Sequence, residues 1–169
     1  MAKSKNSSRK GLPVLIRAAD DRDSSFIYST WLKSYSGQNK GTPKRVTHEF
    51  EERKILGLLA KSITLVAVGD SQSSSGDIYG FICGKRLPDG QLLIHYSYTK
   101  APFRRFGIAR GLLDAFDYNP GELITHSYKG YIMKDLRRSG FSLLYVPYLR
   151  DPGVEEEWSE FYGSNKHCF

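Results

Sequence analysis

The stretch Tyr98-Thr99-Lys100-Ala101-Pro102-Phe103-Arg104-Arg105-Phe106-Gly107-Ile108-Ala109-Arg110 constrains this chain more than any other, because the hydrophobic period changes within it. Leu92, Leu93 and Ile94 lead through aromatic and β-branched residues to Thr99, the pattern of a strand. After Gly107, the residues Ile108, Leu112, Ala115 and Phe116 recur at helical spacing, with Ala109 and Leu113 beside them. A glycine and several backbone amides thus fall where a strand becomes a helix. First-turn amides lack intrahelical partners and carry the positive end of the helix dipole, so they can hold an anion. Gly107 has no Cβ and lets a ligand approach the main chain. A phosphate is the expected guest.

The surrounding pattern fills in the order of elements. Pro13 to Ala18 reads as a strand, Asp20 to Ser25 as a turn with helix caps, and Phe26, Ile27, Trp31 and Tyr35 as one face of a helix stopped at Gly37. Gln38 to Arg45 reads as a basic loop, and Thr47 as the cap of a second helix burying Phe50, Ile55, Leu58 and Leu59. Ile63 to Gly69, Ile78 to Lys85 and the segment from Leu92 are successive antiparallel strands, joined by turn material at Asp70 to Asp77 and Pro88-Asp89-Gly90. Beyond the glycine-bearing helix come a turn at Asn119-Pro120-Gly121, a strand from Glu122 to Ser127, a helix from Tyr131 to Arg138 with Gly140 as its stop, and a strand from Phe141 to Leu149. The expected fold class is mixed α/β, in the order β-α-α-β-β-β-α-β-α-β.

At 169 residues the chain fits one domain, read here as a basic arm (1–11), a folded body (12–150) and an acidic, aromatic extension (151–169). Its apolar runs are too short to span a bilayer and no secretion signal is visible, so a cytoplasmic protein is expected. Cys83 and Cys168 make no disulfide framework, and Cys83, within a strand, reads as a small core residue. His48, His126 and His167 are scattered and neither cysteine has a ligand partner at metal-binding spacing, so no metal site is expected. The net charge of +7 belongs to the body, because the basic arm and acidic extension nearly cancel. A basic body suits a phosphorylated cofactor or nucleic acid, and equally a solvated surface.

The spacing Arg104-x-x-Gly107-x-Ala109, set between a strand and an amphipathic helix, resembles the acyl-CoA pyrophosphate loop of the GNAT superfamily of N-acetyltransferases. The order of elements resembles that family's from the first strand to about Leu149, and Ser139-Gly140-Phe141 resembles its Gly-Phe ending after the last core helix. The wording around Tyr96 to Leu113 is also similar to small GNAT-like proteins of tailed phages.

The resemblance implies a mostly antiparallel sheet flanked by helices and an acetyl-CoA-dependent N-acyltransferase. It implies that Tyr98, Thr99 and Lys100 pair with the pantetheine arm, and that the amides of Arg105, Phe106, Gly107, Ile108, Ala109 and Arg110 surround the pyrophosphate. Lys100, Arg104 and Arg110 are candidates for charge contacts to phosphate. Acyl transfer to an amine needs a group to take the ammonium proton and a donor for the leaving thiolate. His95 is the expected base, close to where several family members carry a catalytic Glu. The family's usual tyrosine, four residues before the glycine of the Gly-Phe ending, is Leu136 here, which leaves Tyr128, with Ser127 and Tyr131, as donor candidates. Trp31 and Tyr35 begin the region, to Arg45, that would wall the acceptor.

Two other readings use the same residues. A GNAT scaffold that modifies or binds nucleic acid fits the basic body and arm and the missing tyrosine. A non-catalytic module that binds acyl-CoA or a partner, including a second copy, fits the apolar side chains of Trp158, Phe161 and Tyr162.

Overall fold

The computed structural model describes residues 13–35, 44–69 and 77–150, and these form a six-stranded sheet with helices on both faces. The strands β1 (Val14–Ala18), β2 (Ile63–Gly69), β3 (Ile78–Arg86), β4 (Leu92–Thr99), β5 (Leu123–His126) and β6 (Ser142–Tyr145) lie side by side in chain order. Neighbours from β1 to β4 are antiparallel, whereas β4–β5 and β5–β6 are parallel. The parallel pairs follow from their crossovers, which run through helices α3 (Ile108–Asp114) and α4 (Tyr131–Arg138). The mixed α/β class and the order of elements read from the sequence are those observed.

Helix α1 (Asp21–Tyr35) starts earlier than expected, since its first turn takes up the residues assigned to a turn over Asp20–Ser25. The Arg22 amide donates to Asp20 Oδ1 at 3.0 Å, and the Asp20 amide donates to Asp23 Oδ2 at 2.9 Å, a reciprocal cap. Arg17 on β1 also binds the buried Asp23 carboxylate through both terminal nitrogens, tying strand to helix. Helix α2 (Lys44–Lys61) likewise begins before Thr47, which is inside it and is not its cap. Its buried face is Glu51, Ile55 and Leu58, while Phe50 is 57 % exposed and Leu59 half-buried, so the apolar face shifts from the one expected.

Two apolar layers result. Ile27, Trp31, Tyr35, Ile55, Leu58, Phe81, Tyr96 and Tyr128 fill the side covered by α1 and α2. Ile82, Ile94, Ile108, Leu112, Leu113, Ile124, Ile132 and Leu136 fill the side covered by α3 and α4. Gly80 makes the second layer possible, because a Cβ there would lie 2.6 Å from the Tyr98 carbonyl oxygen and 3.2 Å from Ile108.

Toward the C-terminal side three boundaries move. Ala115, expected on the buried face, is exposed just past the end of α3. Strand β5 is shorter than Glu122–Ser127, and β6 ends at Tyr145 rather than Leu149, where Pro147, lacking an N–H, opens a tight turn over Pro147–Arg150. The Gly37 stop, the loop residues 38–43, the turn residues 70–76, the basic arm 1–11 and the extension 151–169 with His167, Cys168, Trp158, Phe161 and Tyr162 lie outside the described residues. No helix among the described residues is long and apolar enough to cross a membrane.

Candidate active site

The sheet opens where β4 outlasts β5. Pairing between them runs from Leu92↔Ile124 to Ile94↔His126 and is closed by the Ser127 amide, which donates to the Ile94 carbonyl at 3.1 Å. Beyond that bond the chain after β5 turns away through Ser127 and Tyr128, while β4 continues to Thr99. The register with β3 slips at the same place: Gly84 faces Ile94, Cys83 faces Tyr96, and His95 is the extra residue of a β-bulge. Just past β4 the Lys100 amide is used by β3, donating to the Tyr79 carbonyl at 2.8 Å. By alternation, Ser97 and Thr99 direct their backbone groups into the fork, in place of the neighbours Tyr98 and Lys100 expected from the sequence. The Thr99 carbonyl accepts from Arg104 Nε at 3.2 Å, and the buried Thr99 hydroxyl has no hydrogen-bond partner.

From Thr99 the chain enters a tight turn over Ala101–Phe103, with Pro102 in its first turn and the Phe103 ring stacked on Tyr79. Arg105 and Gly107 take φ of 68° and 84°, so the loop doubles back before α3. Gly107 caps the helix, and nothing lies within 4 Å of where its Cβ would stand. The first backbone bond of α3 is from the Gly111 amide to the Gly107 carbonyl, leaving the amides ahead of it with no acceptor inside the helix.

A groove of about 500 Å³ opens over this turn, between α3 and α4. Thr99, Arg104, Arg105, Gly107, Ile108, Ala109 and Arg110 line one side, as the sequence pattern leads one to expect. The other side comes from Ile132, Asp135, Leu136, Arg138 and Ser139, with Phe141 following, and was not read from the sequence. The signal was there, since Ile132, Asp135, Leu136 and Ser139 stand at i, i+3, i+4 and i+7 and so share one face. Of the cations, Arg110 lies over the Phe141 ring, and Asp135 pairs with Arg138 at the exposed rim.

Three loop residues named from the sequence do not line the groove. Tyr98 packs with Phe26 and Phe81 on the α1 face, the Lys100 ammonium lies 5.1 Å from the Phe26 ring centroid on that face, and Phe106 is 54 % exposed.

The proton-transfer candidates gather at the fork. His95 is fully buried, with Nδ1 3.0 Å from Ser127 Oγ. Tyr128 is also buried, and its hydroxyl donates to the Ser34 carbonyl at 3.3 Å. Tyr96 sits among these rings, its phenol pushed well above the ordinary tyrosine value by burial. Trp31 and Tyr35 are core residues and present no open wall: Trp31 Nε1 donates to the Tyr35 hydroxyl, the indole stacks on Tyr96, and the Tyr35 ring meets Tyr128 edge-on. For Tyr131 only the backbone, at the start of α4, is described. Burial raises the Cys83 thiol to about 12, so it stays protonated and inert. Among the described residues no cluster of metal-ligating side chains occurs.

The sequence matches no protein-family model and no curated protein. Solved structures similar to it include a GCN5-related N-acetyltransferase from Rhodopseudomonas palustris, at 16% identity and a TM-score of 0.48 over 76% of this chain and 81% of that one. A possible acetyltransferase from Clostridium difficile 630 is 14% identical, with a TM-score of 0.47 over 77% of this chain and 91% of that one. An acetyltransferase of the GNAT family from Staphylococcus aureus Mu50 is 15% identical, with a TM-score of 0.42 over 90% and 82%.

Proposed function

We propose that this chain is a GNAT-like N-acyltransferase that moves an acetyl group from acetyl-CoA to an acceptor amine. One observation carries the reading: the fork between β4 and β5 runs directly into an arginine-lined groove that begins at a left-handed glycine and a helix start. The donor set suits a diphosphate, since loop amides and the guanidinium groups of Arg104, Arg105 and Arg110 offer hydrogen-bond donors and positive charge around open space. The edge of β4 at Ser97 and Thr99 suits an amide-bearing arm, which can pair with it as a further strand would. The Thr99 hydroxyl, buried without a partner, supplies one more polar group at the junction of edge and groove.

Coenzyme A supplies the activated thioester. The acceptor nitrogen attacks the thioester carbonyl carbon, a C–N bond forms, the C–S bond breaks, and the sulfur leaves as a thiolate that takes a proton. The His95–Ser127 pair is proposed to receive the acceptor's proton, because its imidazole is held at the bulge where the strands part. Ser127 holds the ring's orientation through Nδ1. Tyr128 is proposed as the thiolate's donor. It occupies the same junction, which answers the absence of a hydroxyl at Leu136 on the α4 wall of the groove. The basic body fits an anionic coenzyme without a nucleic-acid partner.

The test is thiol release from acetyl-CoA in the presence of a panel of primary amines. Amine-dependent release that falls on His95→Gln with little change in acetyl-CoA affinity supports the assignment. Binding of acetyl-CoA without release on any amine supports the non-catalytic module instead. A steep fall of polynucleotide affinity with salt, with no acetyl-CoA binding, supports the nucleic-acid reading.

A further inference from the structure

The opposite flank of α4 carries a second groove, of about 580 Å³, that the acyl-transfer reading does not use. It lies between α4 and β6, and Lys129, Lys134, Arg137 and Arg138 line it around His126 and Met133. His126 is 3 % exposed, and its Nδ1, 3.0 Å from the Tyr128 carbonyl oxygen, must carry the proton to make that bond. Its Nε2 has no hydrogen-bond partner. A buried ring nitrogen left without a partner is uncommon, because such groups find partners or ligands. The Tyr145 ring meets the imidazole at 5.3 Å between centroids and carries the Lys129 ammonium above it at 4.5 Å. No carboxylate is among the lining residues.

We propose that this groove is a second anion site, which takes a phosphomonoester with His126 Nε2 as its innermost contact and Lys129 and Arg137 as its charge partners. A terminal phosphate fits better than a polynucleotide backbone, because a duplex lies across a surface and cannot reach a ring that is 3 % exposed. Two sources share this chemistry, a free phosphomonoester and the 3′-phosphate of the coenzyme itself, since Arg138 lines both grooves.

Protonation belongs to the mechanism of binding. Burial and the nearby Arg137 and Lys129 hold the His126 imidazole below its ordinary value, which favours the neutral ring. Tyr145, Lys134 and Arg138 are the other titratable or charged groups lining the groove, while Met133 and the register partner Ile94 are apolar. An anion cancels the cationic repulsion and turns Nε2 into a donor, so it binds more tightly as pH falls. The site stands apart from the acyl-transfer reading, and only the source of its anion is tested through the coenzyme.

Sulfate is the clean probe, because it stays a dianion across the range in which histidine titrates, whereas a phosphomonoester loses charge below about pH 6. Titration of the full chain with sulfate, followed by the His126 ring nitrogens in NMR, is expected to saturate. Affinity is expected to rise by about tenfold for each pKa unit that the anion adds to the imidazole. Arg137→Gln, at an exposed position, is expected to weaken binding and keep the pH dependence, while His126→Phe removes that dependence. Inorganic phosphate that shifts His126 with the other groove filled by coenzyme identifies a free monoester as the ligand. Shifts caused by CoA but not by dephospho-CoA identify the coenzyme's own phosphate. Shifts that never saturate, or that leave the His126 nitrogens unmoved, overturn the proposal, as does a pH dependence that survives His126→Phe. Loss of acetyl-CoA binding in Arg104→Gln leaves the sulfate titration and its pH dependence as they are, so the two readings fail separately.

Discussion

The two faces of the sheet differ in what they keep dry. On the α1–α2 face, Trp31, Tyr35, Phe81, Tyr96 and Tyr128 interlock in edge-on, stacked and tilted contacts, with Trp31 Nε1 donating to the Tyr35 hydroxyl and the Tyr128 hydroxyl to the Ser34 carbonyl. The α3–α4 face also buries an apolar layer, but its helices stand far enough apart to leave a cationic groove on each side of α4. One face therefore supplies rigidity to the fork from beneath, and the other supplies charge and open space. In the proposed function an anionic ligand enters from the side of α3 and α4.

Truncating the aromatic face breaks this comparison most forcefully. Trp31→Ala removes a fully buried indole and is expected to cost about 3–5 kcal/mol of stability in denaturant unfolding. An effect confined to acceptor KM, with stability unchanged, would put Trp31 back in an open acceptor wall. On the other face the largest effect comes from charge: Arg104→Gln removes the guanidinium that bridges the Thr99 carbonyl and the groove. Hydrogen bonds to charged groups contribute about 1.5–3 kcal/mol, so coenzyme affinity by calorimetry is expected to fall at least about tenfold. Gly107→Ala forces a Cβ into a left-handed position with open space around it, so its cost is conformational and about 1–2 kcal/mol. It is expected to lower the thermal midpoint and coenzyme affinity together.

The smallest effect is the pH dependence of stability on the second groove. The folded-state pKa of His126 lies below its unfolded value, so the folded protein binds fewer protons between the two. Its contribution is complete above the ordinary histidine value and is lost as pH falls through that window. Thermal midpoints measured toward acid are expected to decline less steeply in His126→Phe than in the natural chain.

Much of this architecture is legible in the sequence because the hydrophobic period changes wherever the elements change. The switch at Gly107 marks the start of α3 without any tertiary information. Helix starts were harder to read. Asp20 caps α1 through a partner, Asp23, that Arg17 on a different strand holds in place, and a one-dimensional pattern does not reveal that link. Phe50 illustrates the complementary failure, where an apolar residue in a helical period faces outward and Glu51 takes the buried position.

At the site, one wall of the groove was written in consecutive residues and was found, whereas the α4 wall is dispersed at helical spacing and was not. The bulge at His95 is a register event between strands, invisible until β3 and β4 are paired. Lys100 shows that adjacency in a motif does not fix direction: strand alternation sends it to the face opposite Thr99.

In the proposed function, main-chain amides at the start of α3 hold an anionic coenzyme, and amide hydrogen exchange reads those groups directly. Saturating CoA is expected to slow exchange at residues 105–110 and along β4 at Ser97 and Thr99, with the aromatic face unchanged. Slowed exchange confined to the α4–β6 flank, or none at residues 105–110 when CoA is bound, would contradict it.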